Sequence, residues 1–185
     1  VGELGFELYI KTRDAKKIYE LIRKEGKNYD LSHCGMHAMD IMRMESGFLH
    51  WGHDISPEEN QYQAGLNFAI SYKKNIDFIG QKALEKIKNE KITRRFAMFT
   101  LTDSKPGNPL LLHDEPIYLD NTIIGRTTSG NYSFNYNKNL SFGYINVNLT
   151  NDELSKRKLY IEVEKKKYLV TLKKKPLKDK KVRLR

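Results

Sequence analysis

Hydrophobic positions divide the chain into a mixed first half and a strand-rich second half. Apolar residues at every second position predict strands over 4–10 and 66–72. Apolar residues three and four positions apart predict helices over 14–25, 32–43 and 79–89. The order strand, helix, helix, strand, helix is typical of an α+β or α/β unit.

End signals place the helices of this first half. Asp14 is a suitable N-cap, and Gly26 stands where a left-handed residue often ends a helix. Ser32 is a second N-cap candidate. The polar segment 53–63, which contains Pro57, predicts a loop before the second strand.

In the second half, short apolar runs separated by turn residues predict strands joined by turns, without a helix. The strands are expected at 95–101, 116–119, 122–128, 140–147, 158–164 and 168–173. Asp120-Asn121 and the segment 164–167 have the composition of hairpin loops. Six short strands suggest a small barrel or sandwich. We therefore place a boundary near residue 92, with an α+β domain over 1–92 and an all-β barrel with a basic tail over 93–185.

Composition narrows the class of protein. The chain has 185 residues, of which 39% are hydrophobic, and a net charge of +10. No apolar run approaches the roughly 20 residues that span a bilayer, which argues against a membrane protein. Cys34 is the single cysteine, so no internal disulfide is possible and a reducing compartment is expected. The excess lysines at 165–167, 173–175 and 178–185 indicate a solvated surface and a basic tail. Charge without stacking aromatics or a reading helix does not favour nucleic-acid binding.

One charged residue interrupts an apolar helical stripe. Arg43 falls seven residues after Met36 and four after Met39, so it shares their inward face. Because a guanidinium stays charged, a buried arginine needs partners. Spacing leaves two interpretations open, which are a structural ion pair with Glu45 and the wall of a ligand site.

A second candidate lies at the start of the chain. Glu3 and Glu7 share one face of the predicted strand, and Gly2 and Gly5 leave room beside Glu3 for close approach. A carboxylate there can accept two N–H bonds from a planar heterocycle that bears an amino group. The alternative is an ordinary surface carboxylate beside a glycine bulge.

Other chemistries find little support. The scattered His33, Cys34, His37, His50 and His53 lack the compact ligand spacing of a zinc site, so no metal is expected. The segment 127–130 is not a nucleophile elbow and is expected to be a strand-to-turn element. Neither a P-loop nor a dinucleotide fingerprint is present.

Several motifs, taken in order, resemble one family. Residues 1–9 contain Gly-Glu-x-Gly-Phe-Glu, and residues 43–47 read Arg-Met-Glu-Ser-Gly. Further matching segments are 51–55, 64–69, 78–84, 115–117, 125–130 and 142–144. The set resembles the folate-dependent aminomethyltransferase family, which includes the glycine-cleavage T-protein. The first motif and the segment Trp-Gly-His-Asp-Ile are more similar in sequence to the C-terminal regions of dimethylglycine and sarcosine dehydrogenases than to the T-protein.

The resemblance implies tetrahydrofolate as cofactor. Glu3 would bind the amino-pyrimidine edge of the pterin, Arg43 would support the folate site, and Phe68 would lie against the cofactor. From charge alone, the basic tail would neutralise the glutamate end of folate. The chain departs from the family pattern at Gln61 and Gln63, and at Lys178, where a tyrosine is common.

The resemblance also implies that this chain is the C-terminal portion of a longer protein. The family's catalytic aspartate belongs to the N-terminal half, so no catalytic residue is expected here and that half is an expected partner. The whole protein would move a one-carbon unit to tetrahydrofolate from an aminomethyl group on a lipoyl carrier, or from an iminium or formaldehyde made at a flavin domain. It would work in the cytoplasm, or in the mitochondrial matrix of a eukaryote.

Two alternatives from other classes remain. Relatives of this fold can keep the folate pocket without transferase chemistry, as modules in assembly or iron–sulfur maintenance. A basic RNA-binding barrel is the third interpretation, and it predicts steeply salt-dependent retention of nucleic acid.

Overall fold

Six antiparallel strands close into a barrel in the computed structural model, which describes residues 1–74 and 76–178. The strands are β1 Arg94–Leu101, β2 Pro116–Leu119, β3 Thr122–Ser133, β4 Lys138–Asn146, β5 Leu159–Val163 and β6 Lys166–Lys173. Around the barrel their order is β1-β4-β3-β2-β5-β6. The predicted small all-β barrel is confirmed. The boundary predicted near residue 92 falls just before β1 and stays a prediction.

The barrel interior is filled by alternate side chains of its strands, among them Phe99, Ile117, Ile145 and Ile161. One short helix contributes as well, contrary to the prediction of strands alone. This helix, α4 Asn151–Ser155, begins with a capping box in which Thr150 and Glu153 bond each other's backbone N–H. Its Leu154 is 0% exposed and packs into the same core. The Thr-x-x-Glu spacing was a sequence signal for this helix start.

Three helices precede the barrel, at the predicted places but with different ends. They are α1 Ala15–Gly26, α2 Met36–Glu45 and α3 Gln81–Lys88. The Asp14 side chain makes no capping bond, and Gly35 rather than Ser32 is the N-cap of α2. Gly26 is right-handed, and the left-handed residue is Asp30, after a 3-10 turn over Lys27–Tyr29. Glycine is needed at 26 for a different reason, since a Cβ there would overlap the Leu31 side chain.

Both strands predicted in the first half are wrong. Residues 4–10 have no regular structure, and the Phe6 side chain is 88% exposed. The segment 66–72 holds a short 3-10 helix, Asn67–Ala69. An alternating pattern becomes a strand only when a neighbour takes up its backbone N–H and C=O groups. Within residues 1–74 and 76–178, no strand pairs with either segment.

A second small core fastens α2 to the outside of the barrel. Ile41 and Met44 of α2 pack against Leu140 and Phe142 of β4, and Leu177 covers the same cluster. This contact fixes the residues that follow α2 beside strand β3. The site described below lies at that junction.

The β5–β6 turn yields a stability prediction. Glu164 and Lys165 form a two-residue loop with φ of 49° and 64°, the backbone of a type I′ turn, which favours glycine at its second position. Lys165→Gly should raise the free energy of unfolding by about 0.5–1 kcal/mol in urea denaturation, because relieved strain exceeds the added entropy of the unfolded chain. Lys166→Gly, one residue into β6, is the control and should lower it. Equal effects of the two changes would contradict the turn assignment.

Candidate functional site

Arg43 is buried near the end of α2, where its guanidinium makes five contacts to oxygen atoms. The Arg43 side chain packs over the Phe142 ring, with 9% of the residue exposed. Nε donates to Asp40 Oδ1 at 2.8 Å, and Nη2 lies 2.7 Å from the same oxygen. Nη1 donates to the Phe48 carbonyl at 3.1 Å and to Asp54, and Nη2 donates to Ser129 Oγ at 2.7 Å. The protein itself therefore satisfies this cation.

Asp54 is the second centre of this network, which we call the Arg43–Asp54 network. Its carboxylate is fully buried and forms an ion pair with the Arg43 guanidinium. It also accepts the His50 backbone N–H at 2.9 Å, Thr128 Oγ1 at 2.5 Å and Ser129 Oγ at 2.8 Å. One carboxylate thus ties the helix, the loop after it and strand β3 together.

A bulge in β3 makes this arrangement possible. Successive side chains of a regular strand point to opposite faces, so Thr128 and Ser129 should not reach one partner. The register of β3 against β4 shifts between Thr127 and Ser129, and both hydroxyls then bond Asp54. From the sequence, the segment 127–130 is expected to be a simple strand-to-turn element, an expectation that misses this role of its hydroxyls. The composition of the segment carries no signal for a bulge.

Glu45 is not the partner of Arg43, so the ion pair considered from the sequence is wrong. Residues two apart on a helix point in different directions. The buried Glu45 carboxylate instead accepts Ser133 Oγ at 2.5 Å and Asn135 Nδ2 at 3.0 Å. It fastens the last turn of α2 to the end of β3.

A cavity of about 530 Å³ opens beside the Arg43–Asp54 network. Its walls come from α2, from residues 48–53, from the segment 110–113 and from β3. Most of the lining is apolar and includes Met36, Met39, Phe48, Leu110 and Leu112. Polar groups enter at a few points, among them His37, His50 and Asn131. Mostly apolar walls with a few polar groups are typical of small-molecule sites.

A neighbouring cavity of about 680 Å³ shares His53 and Thr128 with the first. In this second cavity, Arg94 Nη2 forms an ion pair with Glu59 Oε1 at 2.7 Å, and Arg94 Cζ lies 4.2 Å from the centroid of the Tyr144 ring. Burial raises the pKa of the Tyr144 hydroxyl, which has no hydrogen-bond partner within the described part of the chain. Burial opposes ionisation of Glu59 as well, but hydrogen bonds from Ser56 and Arg94 outweigh it and lower the pKa of that carboxyl.

The three residues that resemblance assigned to the cofactor occupy different settings. Arg43 lines the cavity. Glu3 lies two residues from Val1, which also lines the cavity, and its carboxylate forms an ion pair with Lys178. Phe68 is 81% exposed on its 3-10 turn and is not part of the cavity lining. Their roles toward a cofactor stay predictions.

The histidines and the cysteine lie in separate contacts. His33 Nε2 is 2.8 Å from the Tyr19 hydroxyl, the rings of His50 and His53 lie 4.5 Å apart at a tilt of 36°, and Cys34 is exposed. Within residues 1–74 and 76–178, no three His, Cys, Asp or Glu side chains are grouped to hold a metal ion. Most of the basic tail, 179–185, is outside the described residues.

Comparison with known proteins gives a consistent set of similarities. Residues 1–74 match the GCVT N-terminal domain, and residues 94–179 match the Glycine cleavage T-protein C-terminal barrel domain. Mitochondrial dimethylglycine dehydrogenase of Mus musculus is 35% identical over 179 residues, which cover 95% of this chain and 20% of that protein. An aminomethyltransferase of Symbiobacterium thermophilum is 35% identical over 146 residues, which cover 79% of this chain and 38% of that protein.

A solved structure shares the fold. The crystal structure of glycine cleavage system aminomethyltransferase T from Bartonella henselae superposes with a TM-score of 0.72 at 21% identity, covering 88% of this chain and 44% of that one. The chain therefore spans less than half of each of these three proteins, and about a fifth of the dehydrogenase.

The Arg43–Asp54 network should dominate the local stability. Arg43→Met leaves the Asp54 carboxylate buried without its cation, so the free energy of unfolding in urea should fall by about 3–5 kcal/mol. The matched control is Arg126→Met, since Arg126 pairs with Asp114 on the exposed surface and its loss should cost less than about 1 kcal/mol. Equal losses in the two variants would refute the importance of the network.

The lowered pKa of Glu59 predicts an acid-dependent loss of stability. A carboxyl whose pKa is lower in the folded than in the unfolded state stabilises the fold above its usual pKa of 4.5, and that contribution disappears as the pH falls through the folded value. From about pH 5 to about pH 3, Glu59→Gln should therefore lose less stability than the parent. Glu58→Gln, at the exposed neighbour, should follow the parent curve. A parallel loss in Glu59→Gln would contradict this assignment.

Proposed function

We propose that this chain, which belongs to the glycine cleavage T-protein family, forms part of a tetrahydrofolate site at which a one-carbon unit passes from an amine donor to the folate. The observation that carries the proposal is the apolar cavity between α2 and β3. Its lining includes Val1, which directly precedes the Gly-Glu-x-Gly-Phe-Glu motif. Similarity to an aminomethyltransferase and to dimethylglycine dehydrogenase supports the same reaction class.

The cavity suits a flat heterocycle in size and character. Its volume of about 530 Å³ lies within the usual range for small-molecule pockets. Met36, Met39 and Phe48 offer soft apolar and aromatic contacts for a ring system. His37, His50 and Asn131 provide polar groups that can fix its orientation.

Each predicted site residue receives a distinct role in this proposal. Glu3 accepts N–H bonds from the amino-pyrimidine edge of the pterin. Arg43 holds the cavity wall in place, and its N–H groups donate to oxygen atoms of the protein itself. Phe68, exposed on its 3-10 turn, offers its ring to a part of the cofactor outside the cavity.

Tetrahydrofolate supplies the amine that accepts the one-carbon unit. The residues of this chain act on that step by binding and orienting the folate, so that the acceptor amine lies close to the electrophilic carbon. The donor pocket and the catalytic group are proposed to belong to sequence that precedes these residues in the longer relatives. The exposed Leu4, Phe6 and Leu8 offer an apolar surface to that part.

The proposed location is the cytoplasm, or the mitochondrial matrix in a eukaryote. The compared dehydrogenase is mitochondrial. None of the helices in the described residues has the length and apolar character needed to cross a bilayer.

Isothermal titration calorimetry with tetrahydrofolate tests the proposal. The protein is expressed together with whatever sequence naturally precedes Val1. Glu3→Gln should weaken binding about tenfold or more, because the amide loses a charged acceptor and turns an N–H group toward the ligand's own donors. Glu7→Gln is the matched control, since Glu7 accepts the Tyr9 hydroxyl at 2.6 Å, and it should bind within about twofold of the parent.

Two outcomes would change this conclusion. Absence of tetrahydrofolate binding by the parent protein would refute the proposed site. Binding without transfer from sarcosine, dimethylglycine or an aminomethyl carrier would favour the non-catalytic folate module instead.

A further inference from the structure

The last described residues form a strap across the end of α2. Pro176 packs so closely on Gly47 that a Cβ at residue 47 would lie 2.5 Å from its ring. Leu177 is packed against the apolar cluster that joins α2 to β4. The Lys178 backbone N–H donates to the Glu45 carbonyl at 2.9 Å. Residues 176–178, the C-terminal strap, are therefore anchored to the helix that carries Arg43.

Lys178 extends from this strap to the start of the chain. Its side chain is only 12% exposed, and Nζ donates to the Gly2 carbonyl at 3.2 Å and forms an ion pair with Glu3 Oε1. On the other side, Ser46 Oγ donates to the Val1 carbonyl at 3.0 Å. The first three residues are thus held between the end of α2 and the strap.

We propose that Lys178 is a positioning residue for the folate site, which fixes the Glu3 carboxylate for the amino-pyrimidine edge of the pterin. This inference rests on the proposed function. A nearly buried ammonium requires acceptors, and Lys178 finds them only at residues 2 and 3 among the described residues. Beyond Glu3 the chain is exposed through residue 10, and the ion pair with Lys178 ties this exposed motif to the strap.

The geometry leaves Glu3 able to bind a ligand. Lys178 contacts Oε1, and a carboxylate has about four lone-pair positions on its two oxygens. The ammonium therefore orders the carboxylate without using all of its acceptor capacity. An ordered carboxylate binds with less loss of conformational entropy than one on a mobile segment.

Tetrahydrofolate calorimetry on the same protein tests Lys178. Lys178→Met should weaken binding about three- to tenfold, the range expected when a partly exposed ion pair no longer holds the binding group. Lys178→Arg keeps the cation and should recover most of the affinity. Lys175→Met, at an exposed lysine three residues before Lys178, is the matched control and should bind like the parent.

A charge exchange separates positioning from simple stabilisation of the strap. The double variant Glu3→Lys/Lys178→Glu restores an ion pair and should keep the parent's unfolding midpoint, yet it should lose folate binding because the carboxylate is misplaced. If the parent binds tetrahydrofolate and Lys178→Met binds equally well or more tightly, this inference is refuted and the proposed function stands. If the parent does not bind, both are refuted.

Discussion

The burial of Arg43 against Asp54 is the constraint on which this region depends. Removing two opposite charges from water costs free energy that their attraction recovers only when the geometry is good and the remaining donors and acceptors are bonded. That requirement is met by groups from α2, the loop after it and the bulged strand β3. Because three segments must assemble together, the cavity wall they form is fixed by the same contacts that stabilise the fold.

In the proposed site, the residue that holds the cavity wall differs from the residue that recognises the ligand. Asp40, Asp54, Ser129 and a backbone carbonyl occupy the Arg43 guanidinium, so the proposal assigns recognition to other groups. The cavity offers apolar surface and a few polar side chains, while the charged acceptor sits on the first residues of the chain. The C-terminal strap connects these parts, since it is anchored at Glu45 and reaches Glu3 through Lys178.

The barrel strands were predictable because local pattern and environment agree there. Their predicted limits lie within two residues of the observed ones, except that β3 runs on to Ser133 instead of ending at residue 128. The matches to the two glycine-cleavage T-protein domains confirm the resemblance to the aminomethyltransferase family. It was visible in the sequence because several motifs in a fixed order carry information that single residues lack. The strands predicted over 4–10 and 66–72 are wrong because an alternating pattern forms a strand only beside a pairing strand. The sequence of the segment itself does not reveal whether such a partner is present. Burial of Arg43 was predicted, but its partner was not, because Asp54 and Ser129 meet it only through the loop and the β3 bulge.

A crystal structure of the protein with bound tetrahydrofolate is the most direct test of the central claim, that Arg43 fixes the cavity wall while Glu3 recognises the cofactor. We expect the pterin to lie between Met36, Met39 and Phe48, with its amino-pyrimidine edge on the Glu3 carboxylate and the contacts of Arg43 with Asp40 and Asp54 unchanged. A pterin bound elsewhere, or an Arg43 guanidinium that leaves Asp54 to bind the folate directly, would contradict it.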